Sequence, residues 1–121
     1  MSRLLTDAEL ELMVLLWTHG PLTAREALTL LPGERAYTTV STFFRILVEK
    51  GFASREARGR AHIYDAMVSR RAYQVRKLKH VVDGLFDGSP LDLVRQLVAE
   101  RDLSKEEVDE LKAFVEDLSD D

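Results

Sequence analysis

Thr38, Thr39, Ser41, Thr42 and Arg45 put four hydroxyls and a guanidinium group on one short stretch, and Arg55, Arg58 and Arg60 follow closely. Groups of this kind recognise anions and base edges. A hydroxyl near exposed backbone N–H groups can meet a phosphate, and a threonine methyl can meet thymine. A guanidinium can span two acceptors on guanine or on phosphate. The bland alternative is a solvated helix face followed by a solvated hairpin tip. Bond-breaking chemistry has no comparable candidate. His19, His62 and His80 are far apart and lack ligand spacing, and the chain has no cysteine. That excludes disulfides and thiolate metal sites. Asp7, Glu9 and Glu11 fit helix capping and a helix face better than a catalytic group. No phosphate loop or Ser/His/Asp order is present. No enzyme activity, metal or cofactor is expected.

These groups need a scaffold. Val40, Phe43, Phe44, Leu47 and Val48 recur at helical spacing behind them, so a helix is expected from about Thr38 to Lys50. Thr38 is a suitable N-cap and Gly51 a suitable left-handed C-cap. Phe52–Ala57 and Ala61–Ala66 read as strands joined by a tight turn at Arg58-Gly59-Arg60, with Ile63 facing the core and His62 and Tyr64 on the alternate face. Upstream, Thr6 and Glu9 have capping-box spacing and open a helix whose stripe is Ala8, Leu12, Leu15 and Leu16, widened by Met13 and Trp17. Trp17 reads as core more readily than as a binding aromatic. Gly20-Pro21 stops this helix. Leu22 lies in a short extended link. Thr23 and Glu26 repeat the box, and a second helix, about Ala24 to Leu31, turns Ala27, Leu28 and Leu31 inward. The whole is mainly α with a small β-hairpin wing: a winged helix-turn-helix over residues 1–68.

Residues 69–121 read differently. Ser69 caps a long helix to about Phe86 with Val75, Leu78, Val82 and Leu85 on one side. Asp87 to Pro90 form a break. Leu91, Val94, Leu97 and Val98 mark a fifth helix, and Val108, Leu111, Val115 and Leu118 a sixth. So few residues make a poor independent core. Homodimerisation is the economical explanation, with packing against residues 1–68 as the alternative. Charge divides similarly. Residues 1–80 hold 13 Lys/Arg and 8 Asp/Glu (+5), whereas residues 81–121 hold 4 and 13 (−9). A basic front half and an acidic tail suit a polyanion reader whose tail faces away from phosphates. No stretch is long and apolar enough to insert in a membrane, and the start MSRLLTDAELELM lacks a signal-peptide pattern, so a cytoplasmic protein is expected.

LTDAELELMVLLW at Leu5–Trp17, PLTAREAL at Pro21–Leu28, AYTTVSTFFRILVEKG at Ala36–Gly51 and RGRAHIYDAMVS at Arg58–Ser69 resemble the winged-helix pattern of the penicillinase and methicillin-resistance repressor family. LFDGSPLDLVRQLVAERDLSKEEVDEL at Leu85–Leu111 resembles its dimerisation region. The resemblance covers nearly the whole chain. It implies a homodimeric repressor on a roughly palindromic operator of double-stranded DNA. Thr39, Ser41 and Thr42 would fall on the recognition helix and Arg60 at the wing. Family members often carry an arginine where this chain has Ile46, which implies a different base-reading pattern. Beta-lactam-responsive members are cut by a membrane-bound sensor protease at an asparagine followed by an apolar or aromatic residue. The matching positions here are Gln96-Leu97, a departure from that pattern. Copper-responsive relatives use C-terminal cysteines, which this chain lacks. The rival reading is a winged-helix protein-interaction module without sequence-specific DNA binding.

Overall fold

Reciprocal capping boxes start the first two helices. In the computed structural model, which describes residues 4–100 and 102–119, the Glu9 carboxylate accepts from the Thr6 N–H at 2.8 Å. The Thr6 hydroxyl in turn accepts from the Glu9 N–H, opening α1 (Asp7–His19). Thr23 and Glu26 do the same for α2 (Ala24–Leu30). Each box satisfies donors that a helix start otherwise leaves unpaired. Leu22–Thr23 between them is more than the expected link. It forms a strand, β1, antiparallel to β3 (Ala61–Ala66), with Leu22 opposite Tyr64. With β2 (Ala53–Arg58) on the other side of β3, the expected hairpin becomes a three-stranded sheet in the order β1-β3-β2.

The third helix, α3, spans Tyr37–Glu49, so it starts one residue earlier than the sequence suggested. Ala36, not Thr38, is the N-cap, and it has no side-chain capping bond. The Ala36 backbone is extended, and its carbonyl accepts from Thr39 and Val40, which draws Tyr37 and Thr38 into the first turn. The Thr38 hydroxyl is thereby released from capping. At the far end, Gly51 takes φ 83, a left-handed conformation that costs glycine little. Gly59 does the same in the wing turn at φ 60.

Val40, Phe44 and Leu47 of α3 pack on Leu12, Met13 and Leu16 of α1 and on Phe52 in one buried cluster, with Phe43 and Val48 partly buried at its edge. The expected facing of β3 is reversed. Tyr64 is buried and Ile63 only half-buried, because the Tyr64 ring stacks on Phe44 at 4.4 Å and 5° between planes. An aromatic pair of this size outweighs the aliphatic neighbour in filling the sheet–helix gap.

The chain forms two compact units, residues 1–77 and 78–121. Helix α4 (Arg70–Leu85) begins in the first and continues into the second. Its opening turns belong to the first core. The buried Tyr73 hydroxyl accepts from the Leu5 N–H at 2.9 Å, and its ring meets Phe52 edge-on. Trp17 donates its indole N–H to the Val68 carbonyl at 2.8 Å, with the Arg70 guanidinium over its ring. The second unit adds α5 (Pro90–Ala99) and α6 (Lys105–Ser119). Ser89 caps α5 through the Asp92 N–H, and Ser104 and Glu107 cap α6 reciprocally. No helix among the described residues is long and apolar enough to cross a membrane.

Candidate nucleic-acid interface

The polar face of α3 follows from the helical period. Successive residues turn by about 100°, so Thr38, Thr39, Ser41, Thr42 and Arg45 share the side opposite Val40, Phe44 and Leu47. Thr38, Thr39, Thr42 and Arg45 are exposed, and Ser41 is half-buried. Ile46 is half-buried at the edge of this face. An exposed start without a side-chain cap lies on the same helix. Its N–H groups carry the positive end of the helix dipole, which favours an anion.

The end of α3 is fixed to α1 by charge. Lys50 reaches Glu9 at 2.7 Å, although Glu9 is only 3% exposed. Burial pushes the Glu9 carboxyl up, but the hydrogen bonds from Lys50 and from the Thr6 N–H outweigh it and hold the group below its usual range. The cap residue expected from spacing is therefore also the anchor of a long-range ion pair. At the other end, Arg35 makes paired 3.2 Å contacts with Glu11, tying the turn before α3 to α1.

The wing arginines are all exposed, yet they differ in surroundings. Hydrogen bonding with Thr23, and to a smaller extent the charge of Arg58, hold the Glu26 carboxyl below its usual range. Arg58 thus has an acidic neighbour on α2. Arg60 lines a cleft of about 100 Å³ between α2, α3 and the wing, together with Arg25, Tyr37, Ser41 and His62. Arg25 and Tyr37 escaped the sequence reading. The Arg25 guanidinium lies 5.0 Å from the centre of the Tyr37 ring. Their positions in the first turns of two successive helices were the available signal, but only the fold brings those turns together. His62 stands at the cleft wall, with no group of metal-ligand type gathered around it among the described residues.

The residues expected to pair two copies fall into three groups. Val75, Leu78, Leu85, Leu91, Leu97, Val115 and Leu118 are exposed in the single chain, Leu85 the most at 78%. Val94, Val108 and Leu111 are half-buried, and Val82 is buried within the chain itself. Val94, Leu97, Leu111 and Phe114 line an open groove between α5 and α6. Gln96 and Leu97 lie inside α5, with both carbonyls in helical or helix-end hydrogen bonds, to Glu100 and Asp102 respectively.

Comparison with known proteins agrees with this geometry. The family model described as penicillinase repressor matches residues 5–117. The penicillinase repressor of Bacillus licheniformis is 25% identical over 115 residues, covering 93% of this chain and 90% of the relative. The methicillin resistance regulatory protein MecI of Mammaliicoccus sciuri is 24% identical over 110 residues, 89% of each chain. Among solved structures, MepR, a transcription regulator of the Staphylococcus aureus multidrug efflux pump MepA, superposes with a TM-score of 0.51. It is 21% identical, and the match covers 96% of this chain and 78% of that one, a likeness of fold.

Proposed function

The chain belongs to the penicillinase repressor family, and from that premise we propose that it is a cytoplasmic transcriptional repressor that binds a roughly palindromic operator in double-stranded DNA as a homodimer. The observation that carries this reading is the row of exposed Thr38, Thr39, Thr42 and Arg45 with half-buried Ser41 on a helix whose opposite side is locked into the core. A rigid helix with a polar face and a basic wing beside it is the form that reads a major groove while the wing meets the backbone. Residues 1–68 supply the DNA contacts in this proposal. The exposed apolar residues of 69–121 supply the dimer contacts that set half-site spacing. Repression is steric: two copies on adjoining half-sites occupy the promoter.

Ile46 stands where relatives often carry arginine, so Arg45 becomes the guanidinium that reaches the groove from this turn. Release through a membrane-bound sensor protease acting at Gln96-Leu97 is a narrower proposal. Both residues are helical here, so a protease that needs extended substrate requires α5 to unwind first. Selection of bound genomic fragments tests the main reading. Recovery of related, near-symmetric sites supports it. Binding without sequence preference would sink it and favour the protein-interaction module instead. Replacing Arg58 and Arg60 by alanine tests the wing: the expected result is a shallower dependence of affinity on salt, by about 0.9 for each phosphate that is no longer neutralised.

A further inference from the structure

We propose that the cleft between α2, α3 and the wing seats a single DNA backbone phosphate, gripped by Arg25 and Arg60, with Tyr37 holding Arg25 in position. The proposal rests on the duplex-DNA reading above and names which basic groups serve it.

The cations of the first unit differ in what surrounds them. Arg35 is committed to Glu11 and Lys50 to Glu9. Arg70 donates to Thr18 and lies over Trp17, while Arg58 has Glu26 nearby. Arg25 and Arg60 line one cleft, and among the described residues neither has a carboxylate partner. Two guanidinium groups with no acid between them repel each other, and an anion placed between them removes that cost. Tyr37 restricts Arg25 by a cation–π contact with its guanidinium, so less side-chain freedom is lost when an anion binds. A guanidinium held over a ring still has N–H groups free to pair two oxygens of a phosphate.

The size of the cleft suits a phosphate. About 100 Å³ is room for roughly three waters. That accommodates the oxygens of a phosphate. Ser41 completes the wall from α3 with a hydroxyl that can donate to the same anion. Ser41 therefore serves the backbone, and base reading is left to Thr38, Thr39, Thr42 and Arg45. The wing arginines also separate: Arg60 lines the cleft, while Arg58 does not.

The test is Arg25→Ala in the full chain, titrated with a selected operator duplex and a scrambled duplex across a salt series. The expected result is a salt slope shallower by about 0.9, with affinity lowered a few-fold to about tenfold at low salt on both duplexes alike. Arg25→Lys should keep the slope and still bind more weakly, because the charge remains but the planar fork of donors does not. Tyr37→Leu should weaken binding with the slope intact. Thermal unfolding of Arg25→Ala is expected to match the unsubstituted chain, since Arg25 is exposed. An unchanged slope and affinity in Arg25→Ala overturns the proposal while leaving DNA binding intact. A loss confined to the operator overturns it too, because that would mark a base contact. Failure of the unsubstituted chain to bind any duplex overturns both this proposal and the reading beneath it.

Discussion

Phe44 and Leu85 are both apolar residues on helices, yet Phe44 is fully buried and Leu85 is 78% exposed. The contrast extends to the units that hold them. In the first, helices, sheet and the start of α4 close around Phe44, Phe52, Met13 and Leu47. In the second, α5 has no buried residue, and Leu91, Phe114, Val115 and Leu118 stay more than half exposed. Apolar surface of this extent is what a folded protein buries when it can. The first unit therefore draws its stability from its own chain, whereas the second has stability to gain from a partner. This separates the two jobs of the proposed repressor. Groove reading needs side chains held still before DNA arrives. Pairing needs surface kept available until another copy arrives.

The contrast can be broken most severely from inside the first unit. Phe44→Ala should cost about 3–5 kcal/mol in chemical denaturation by leaving a cavity under the Tyr64 ring, and DNA binding should go with it. The second unit gives the opposite separation. Leu111→Glu with Val115→Glu should remove about 2 kcal/mol or more of association energy, seen as monomers in light scattering, while the unfolding midpoint of the first unit holds. A double variant that stays dimeric and binds operator normally would show that these residues pack elsewhere.

A smaller effect tests the Glu9–Lys50 ion pair. The folded Glu9 carboxyl is held below its usual range, so its contribution is present above the unfolded pKa, about 4.3. That contribution is lost as pH falls through the lower folded value. Glu9→Gln should cost about 1–3 kcal/mol at neutral pH and remove this acid step from the denaturant midpoint measured against pH. The smallest change is in the second unit. Ser89→Ala should cost about 1 kcal/mol of helix stability, read as faster amide exchange across Pro90–Ala99 with the first unit unaffected.

Much of this was legible in the residues before the fold. The boxes at Thr6/Glu9 and Thr23/Glu26 depend on bonds between residues three apart, so spacing reveals them. The polar face of α3 follows from its period in the same way. What escaped depends on distant segments meeting. Leu22 becomes a strand only because β3 passes beside it. Tyr64 displaces Ile63 from the core only because Phe44 stands opposite. Thr38 does not take its expected capping role because the backbone enters the helix at Tyr37, a shift too small for residue type to specify. Arg25 and Tyr37 become neighbours only when two helix starts meet.

Trp17, lodged between Val68, Arg70 and Tyr73, is the chain's sole tryptophan, and its three tyrosines are Tyr37, Tyr64 and Tyr73. Every strong ultraviolet chromophore thus belongs to the first unit. Intrinsic fluorescence watches that unit alone. A peptide released by scission between Gln96 and Leu97 would carry only phenylalanine and pass unseen through a protein absorbance detector. An intact emission spectrum would then coexist with a chain that has lost part of the region proposed to pair two copies, so loss of the tail must be followed by mass.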